Sequence, residues 1–164
     1  MANVKAGYLD LGEIKQIEVP ADEVERYSLV RGDVLLTEGG DWDKLGRSAI
    51  WTGEISPCLH QNHVFRARAL SAALRPEWIA LFTNSETGRA YFQSKAKRTT
   101  NLASINMTEL RSMPLPVPPA AEQGRILTAV EDLTRQLTRL DGALATREKA
   151  SARLAAALAR VASG

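Results

Sequence analysis

The most regular pattern of apolar and polar positions lies in the C-terminal part of the chain, from about residue 120 to residue 161. Apolar residues recur there at alternating spacings of four and three, a heptad pattern typical of a helix that packs along another helix. The positions that define this stripe are Ile126, Val130, Leu133, Leu137, Leu140 and Leu144, and after Arg147 and Ser151 the register continues through Leu154, Leu158 and Val161.

Start signals for this helix are also present. Pro118 and Pro119 precede it, and Glu122 falls in its first turn. At a rise of 1.5 Å per residue the helix would be ~60 Å long, too long to bury its whole stripe against the domain before it. We therefore expect it to pair with a second helix, although the pattern also allows a helix folded back on its own domain.

The segment "MPLPVPP" (residues 113–119) has four prolines in seven residues and predicts a stiff, extended spacer. The predicted organisation is a domain over residues 1–112, a spacer over 113–119 and a helix over 120–164.

Residues 1–112 show shorter patterns of mixed character, which predict an α+β domain. Segments of β-tolerant residues bounded by turn formers predict strands at Ile14–Val19, Asp33–Thr37, Ser48–Trp51 and His63–Arg68. Capping-box spacing of Asp22 with Glu25 predicts a helix at Asp22–Tyr27, and the same spacing of Asn106 with Glu109 predicts another from Asn106. Proline at the first turn predicts a helix at Pro76–Thr83, and a further helix is expected from Ser85 to about Ala96.

Composition narrows the class of protein. Apolar residues make up 45% and charged residues 24% of the 164 positions, which is ordinary for a globular protein. The sequence contains no apolar run long enough for a membrane span and no secretory signal pattern. A single cysteine, Cys58, excludes an internal disulfide and fits a reducing compartment, so we expect a cytoplasmic protein.

The net charge of +2 conceals an uneven distribution. Residues 1–43 carry a balance of −6, and residues 44–119 carry +6. Residues 89–108 contain four bases and no acid. Segregated positive charge is typical of a face that binds a polyanion, although charge alone also allows a chance cluster.

Two segments could carry other chemistry. "TEGGDWDKLGR" (residues 37–47) lacks the spacing of phosphate-binding loops, and its adjacent glycines more simply predict a hairpin turn, with Trp42 folded onto it. "CLHQNH" places Cys58, His60 and His63 together, but the absence of a second cysteine favours ordinary, partly buried histidines over a metal site. Nucleophile-elbow and cofactor-binding motifs are absent, so we expect no enzyme, no metal and no cofactor.

The basic segment "GRAYFQSKAKRTTNLASIN" (residues 88–106) has side chains suited to nucleic acid. Bases and short polar groups contact phosphates, and arginine and asparagine also read base edges. Tyr91 and Phe92 are expected in the core. The candidate DNA contacts in this segment are Lys95, Lys97, Arg98, Thr99, Thr100 and Asn101.

Four ordered motifs resemble the specificity subunits of type I restriction–modification systems: "RGDVLLTEGGDWDKLGRSAIW", "CLHQNHVFRAR", "TTNLASIN" and "PLPVPPAAEQGRI". The resemblance implies a target recognition domain, joined through a junction like that at residues 118–123 to a helical spacer. It implies a non-catalytic reader of double-stranded DNA that docks on methyltransferase subunits and, through them, on a restriction subunit. We also expect the loop at residues 37–47 to lie on or near the DNA-facing surface. The resemblance does not identify which of its residues touch DNA; its two bases, Lys44 and Arg47, are the candidate contacts.

The chain departs from that family in having one recognition domain and one spacer helix, where a full subunit has two of each. Its first residues also resemble a segment that further strands usually precede. We expect a half-subunit, a truncated gene product or an expression fragment.

The predicted architecture is a mixed α/β recognition domain followed by a long helix that pairs in an antiparallel coiled coil. A homodimer formed through this helix would read a bipartite, symmetric target. The rival interpretation is a degenerate fragment that serves only as a coiled-coil assembly module. A methyltransferase or nuclease is disfavoured because the chain has no NPPY-like tetrapeptide.

Overall fold

The structure is a computed structural model that describes residues 2–99 and 102–162, except for the side chains of residues 154–159, 161 and 162. It divides into two compact units, Met1–Gln123 and Gly124–Gly164. In chain order the elements are α1 (Ala21–Tyr27), β1 (Val34–Thr37), β2 (Gly39–Gly40), β3 (Ser48–Ile50), β4 (Val64–Ala67), α2 (Pro76–Asn84), α3 (Glu86–Lys95), β5 (Lys97–Arg98), β6 (Ala103–Ser104), α4 (Met107–Arg111) and α5 (Ala120–Ala162).

The core of the first unit is built on an antiparallel sheet of order β3–β1–β4. Successive residues of a strand point to opposite faces, and both faces of β1 are buried. Val34 and Leu36 belong to the larger apolar cluster, which includes Ile79 of α2 and Phe92 of α3. Leu35 belongs to a smaller cluster on the other side. The central strand is therefore buried along its whole length, with apolar residues at Val34, Leu35 and Leu36, rather than alternating.

A second, smaller sheet has the order β2–β6–β5, with two residues in each strand. Gly39 and Lys97 both pair with Ser104, and Gly40 and Arg98 both pair with Ala103. This sheet joins the loop after β1 to the basic segment after α3, although some 57 residues separate them in the chain. The sequence pattern did not predict it.

Helix α2 is fixed to β3 by buried polar groups as well as by apolar contact. The hydroxyls of Ser48 and Thr83 lie 2.6 Å apart, and the Asn84 side-chain amide donates to the Ser48 carbonyl at 2.9 Å. Ser48 and Thr83 are 0% and 1% exposed. Buried polar groups are tolerated when they are hydrogen-bonded, as they are here.

The last residues of the first unit contain a buried glutamine. Gln123 is 0% exposed, although it lies in the first turn of α5. Its Oε1 accepts from the Arg75 amide at 3.0 Å, and its Nε2 donates to the carbonyls of Ala73 (2.8 Å) and Pro118 (2.7 Å). This one side chain satisfies three backbone groups from two segments of the unit.

The second unit consists of the rest of α5, a helix of 43 residues that begins directly after Pro119. At ~1.5 Å per residue it is about 65 Å long. Leu133, Leu137, Leu140 and Leu144 are 53–61% exposed. The long helix is confirmed, and its pairing with another helix stays a prediction. No helix in the described part of the chain is both long and apolar enough to cross a membrane.

The α+β class and most predicted elements are confirmed, including strands at three of the four predicted places. The capping box at Asn106 is also confirmed, because its side chain accepts from the Glu109 amide while the Glu109 carboxylate accepts from the Asn106 amide. The predicted strand at Ile14–Val19 is wrong. That segment has no regular secondary structure and is mostly exposed, and it pairs with no strand in the described part of the chain.

The predicted capping box at Asp22 and Glu25 is also wrong. Helix α1 begins one residue earlier, at Ala21, with Pro20 at the N-cap position and no side-chain cap. Asp22 is therefore inside the first turn, where its charge favours the helix N-terminus but its side chain does not cap it.

Candidate nucleic-acid interface

The loop at residues 37–47 connects β1 to β3 and is closed at its base by backbone and side-chain bonds. The Thr37 amide donates to the Arg47 carbonyl at 3.0 Å, and the Thr37 hydroxyl donates to the Lys44 carbonyl at 2.8 Å. Leu45 anchors the loop in the core at 1% exposure. The predicted hairpin is confirmed, but its glycines do not form the turn: Gly39 and Gly40 are strand β2.

Gly46 explains how this loop lies so close to the core. Its φ is +64°, a left-handed conformation that favours glycine, and a Cβ there would lie 2.0 Å from a ring carbon of Phe92. Phe92 is fully buried, so the ring has little room to move. The end of the loop is therefore packed directly on α3.

Both candidate DNA-contacting bases of this loop face an acid of the same loop. Lys44 pairs with Asp41, and Arg47 Nη2 lies 2.8 Å from the Asp43 carboxylate. The hydrogen bond from Lys44 lowers the pKa of Asp41 below its ordinary value. The loop is thus close to neutral, and its two bases are partly compensated.

The bases that follow α3 are different. Lys95, at the end of α3, and Lys97 and Arg98, in β5, are exposed. Among the described residues, none of these three forms an ion pair with a carboxylate. They form the least compensated group of positive charge within the candidate contacts.

Strands β5 and β6 form a hairpin closed by Thr99, whose amide donates to the Leu102 carbonyl at 2.8 Å and whose hydroxyl reaches the same oxygen at 3.1 Å. Thr99 is exposed, and Leu102 is 59% exposed. The remaining candidates, Thr100 and Asn101, lie outside the described residues.

The small sheet brings the neutral loop and the basic hairpin together. The Arg98 guanidinium carbon lies 4.3 Å from the centre of the Trp42 ring, and the Gln93 side-chain amide donates to the Trp42 carbonyl at 3.3 Å. The half-buried Trp42 ring also packs against the larger core cluster. We use the name basic face for the exposed residues Lys95, Lys97, Arg98 and Thr99 together with Trp42, which Arg98 contacts.

The two aromatic residues of the basic segment are in the core, as predicted. Phe92 is 0% exposed, and the Tyr91 hydroxyl donates to the Glu109 carbonyl at 2.9 Å. These rings position the backbone beneath the basic face.

The histidines of "CLHQNH" have ordinary partners. His60 Nδ1 lies 2.9 Å from the Val64 carbonyl, and His63 Nδ1 lies 2.7 Å from the Glu38 carboxylate. Burial raises the pKa of the Cys58 thiol. Within the described residues, no group of three or more His, Cys, Asp or Glu side chains is placed to hold a metal ion.

Two other bases of the domain are committed to internal bonds. Arg68 makes a bidentate pair with the fully buried Asp33, at 2.6 and 2.7 Å, and Arg66 donates to the Ser28 carbonyl at 2.8 Å. Burial by itself would raise the pKa of Asp33, but hydrogen bonds from Arg68 and from the Val30 amide outweigh it and hold the pKa below 3.8. These arginines fasten the edge of the main sheet.

The fold and its charges define a class: a small α+β domain with an uncompensated basic hairpin, followed by a long helix with an exposed leucine stripe. Residues 3–145 match the family model of the type I restriction modification DNA specificity domain, and the chain belongs to that family. The resemblance found in the sequence motifs is thereby confirmed.

Curated relatives carry the same designation. The chain is 30% identical to the type I restriction enzyme EcoKI specificity subunit of Escherichia coli K12 over 81% of its length, and 26% identical to the StySPI specificity subunit of Salmonella potsdam, also over 81%. It is 25% identical over 92% of its length to the EcoEI specificity subunit of Escherichia coli. The matched parts cover 29%, 29% and 26% of those relatives, so the chain spans little more than a quarter of each.

Sequence reasoning missed the roles of two residues. The contact between Trp42 and Arg98 joins positions far apart in the chain, and no local pattern encodes it. Gln123 had a detectable signal: it precedes Ile126 by three positions and so continues the apolar stripe with a polar residue. An amide at such a position indicates buried hydrogen-bond partners rather than helix pairing.

Proposed function

We propose that this chain is the DNA sequence-recognition part of a type I restriction–modification system. In this proposal it binds double-stranded DNA in the cytoplasm and directs methyltransferase subunits, and through them a restriction subunit, to a bipartite target. The chain supplies recognition and assembly, and its partners supply the catalysis and the cofactors.

The observation that carries the proposal is the basic face. Three exposed bases without carboxylate partners in the described chain stand on one short helix end and one hairpin. Uncompensated bases bind DNA phosphates with release of counterions, which is the main source of affinity in such complexes. Lys44, Arg47, Thr100 and Asn101 remain candidate contacts around this centre.

The exposed leucines of α5 support the assembly part of the proposal. A row of half-exposed leucines along a helix costs free energy in water unless another apolar surface covers it. We propose that a second copy of α5 covers it in antiparallel orientation, pairing through the predicted stripe (Ile126, Val130, Leu133, Leu137, Leu140, Leu144, Leu154 and Leu158). Two identical readers would then stand at a fixed separation on a symmetric target.

The same leucine stripe favours one alternative, an assembly module that pairs its helix but does not read DNA. Co-expression of the chain with a type I methyltransferase subunit, followed by mapping of N6-methyladenine, separates the two. A symmetric bipartite motif supports recognition by a dimer. A purified complex that leaves the DNA unmethylated would instead support the assembly module.

The variant that tests the basic face in the same experiment is Lys97→Ala plus Arg98→Ala. We expect it to keep the complex and lose the methylation, because it removes charge from the basic face and leaves α5 unchanged. Methylation at the native level would locate the DNA-binding surface elsewhere on the chain.

A further inference from the structure

We propose that Trp42 is a positioning residue for DNA binding: its ring holds the Arg98 guanidinium in a fixed orientation at the surface, ready for an acceptor pair on the DNA. This inference rests on the proposed function and identifies one contact within it. Trp42 was not among the contacts predicted from the sequence.

The geometry provides the first argument. Arg98 lies over the Trp42 ring at 4.3 Å, within the range of a cation–π contact. The Trp42 ring packs against the larger core cluster, and the Gln93 side-chain amide donates to the Trp42 backbone carbonyl at 3.3 Å. The backbone of Arg98 is held as well, through its pairing with Ala103, which is 3% exposed. The fold therefore holds the Trp42 ring against the core and places the backbone of Arg98 beside it.

The charges provide the second argument. Two arginines of the domain are paired with carboxylates, Arg47 with Asp43 and Arg68 with Asp33. Arg98 instead contacts a neutral ring, and it has no ion pair with any carboxylate in the described part of the chain. An aromatic partner orients a guanidinium without neutralising its charge or occupying its N–H groups.

The chemistry of the ligand follows from this arrangement. A stacked guanidinium leaves the N–H groups at its edge free to donate two parallel hydrogen bonds. On duplex DNA, such a pair of acceptors is presented by two phosphate oxygens or by the O6 and N7 atoms of guanine. Because the side chain is already ordered, less conformational freedom is lost on binding than for a free arginine.

The test is a double-mutant cycle on the full chain, measured by fluorescence anisotropy with a labelled 30-base-pair duplex at several salt concentrations. The variants are Trp42→Leu, Arg98→Ala, the double variant and Trp42→Phe. We expect each of the first two to weaken binding roughly three- to tenfold, because Arg98→Ala removes the proposed DNA contact and Trp42→Leu frees the Arg98 side chain, which must then lose more conformational freedom on binding. The double variant should bind no more weakly than Arg98→Ala alone, and Trp42→Phe should remain within about twofold of the native chain because it keeps an aromatic face.

A matched control comes from α1, where Arg26 lies over the Tyr27 ring at 5.3 Å in the acidic part of the chain. Tyr27→Leu removes a similar contact outside the basic face, and we expect unchanged DNA affinity. Additive losses in the cycle for Trp42 and Arg98 would overturn the inference and leave the proposed function intact. Failure of the native chain to bind the duplex even at low salt would overturn both.

Tryptophan emission gives a second readout if Trp42→Leu impairs folding. Trp51 and Trp78 are only 2% and 9% exposed, so an emission change on DNA addition should come from Trp42 and disappear in Trp42→Phe. Emission of the native chain that stays unchanged on binding would place Trp42 away from the DNA and refute the inference.

The salt dependence of binding distinguishes the two possible acceptors. If the acceptor is phosphate, Arg98→Ala should reduce the slope of log affinity against log salt concentration by about one on every duplex. A loss of affinity confined to duplexes that contain the motif mapped in the co-expression experiment would identify a guanine edge as the acceptor.

Discussion

Placing two aspartates in the leucine stripe of α5 tests whether the chain pairs with a second copy of itself. The variant is Leu137→Asp plus Leu140→Asp, at positions that are 61% and 60% exposed in the single chain. Both lie at the centre of the predicted antiparallel seam. Because each substitution occurs twice in a symmetric dimer, four apolar contacts are lost together.

The magnitude follows from the exposed fractions. Full burial of a leucine side chain is worth about 1.5–3 kcal/mol, so covering the exposed half of each is worth about 1 kcal/mol. Losing four such contacts raises the free energy of the dimer by about 4 kcal/mol, before the cost of desolvating the carboxylates. The dimer dissociation constant should therefore rise at least about a thousandfold.

Sedimentation velocity over a range of concentrations measures this change. The matched control is Thr138→Asp plus Ala145→Asp, which adds the same two charges at outward-facing heptad positions of the same helix. We expect the native chain and the control to dimerise and the stripe variant to remain monomeric. A stripe variant that dimerises as tightly as the control, or a native chain that stays monomeric at every concentration, would refute the pairing.

Three further predictions concern the first unit, Met1–Gln123, each measured by denaturant unfolding of the variant beside the native chain. Gln123→Leu should destabilise the domain by about 3 kcal/mol, because it leaves buried backbone groups unsatisfied; a loss below about 1 kcal/mol would show that water replaces the amide. At acid pH, the free energy of unfolding of Asp33→Asn should depend less on pH than that of the native chain. The folded chain holds the pKa of Asp33 below its ordinary value of 3.8, so the carboxylate stabilises the fold fully above that pH. This contribution is lost as the pH falls through the lower folded-state pKa. A native profile that is flat down to pH 2 would contradict this assignment. Gly46→Ala should cost more than about 2 kcal/mol, since it combines left-handed strain with a clash against Phe92, and near-native stability would mean that the loop moves without cost.

The elements that could be predicted from the sequence are those encoded by local signals. The heptad stripe predicted α5, proline at the first turn predicted α2, and the Asn106–Glu109 spacing predicted α4. The strand expected at Ile14–Val19 failed because β-tolerant residue types indicate only that a strand could form there. A ladder also needs a neighbouring strand, and no local pattern supplies one.

The candidate site was predictable in composition and not in arrangement. Residue types and charge identified Lys95, Lys97 and Arg98, but they could not separate these from Lys44 and Arg47. That difference depends on which bases meet an acid in space, and the aspartates at 41 and 43 were visible only as neighbours in sequence. The small sheet that unites the two segments has two residues per strand, too few for any periodic signal.

The domain separates the residues that stabilise it from those proposed to read DNA. Stability rests on the main sheet, where both faces of β1 are buried and the Asp33–Arg68 pair fastens the edge. The β5–β6 hairpin contributes to the core chiefly through Ala103, while Lys97, Arg98 and Thr99 remain exposed. Substitutions on the hairpin should therefore change DNA binding with little effect on folding, since exposed positions away from caps and strained turns rarely shift stability by more than about 0.5 kcal/mol.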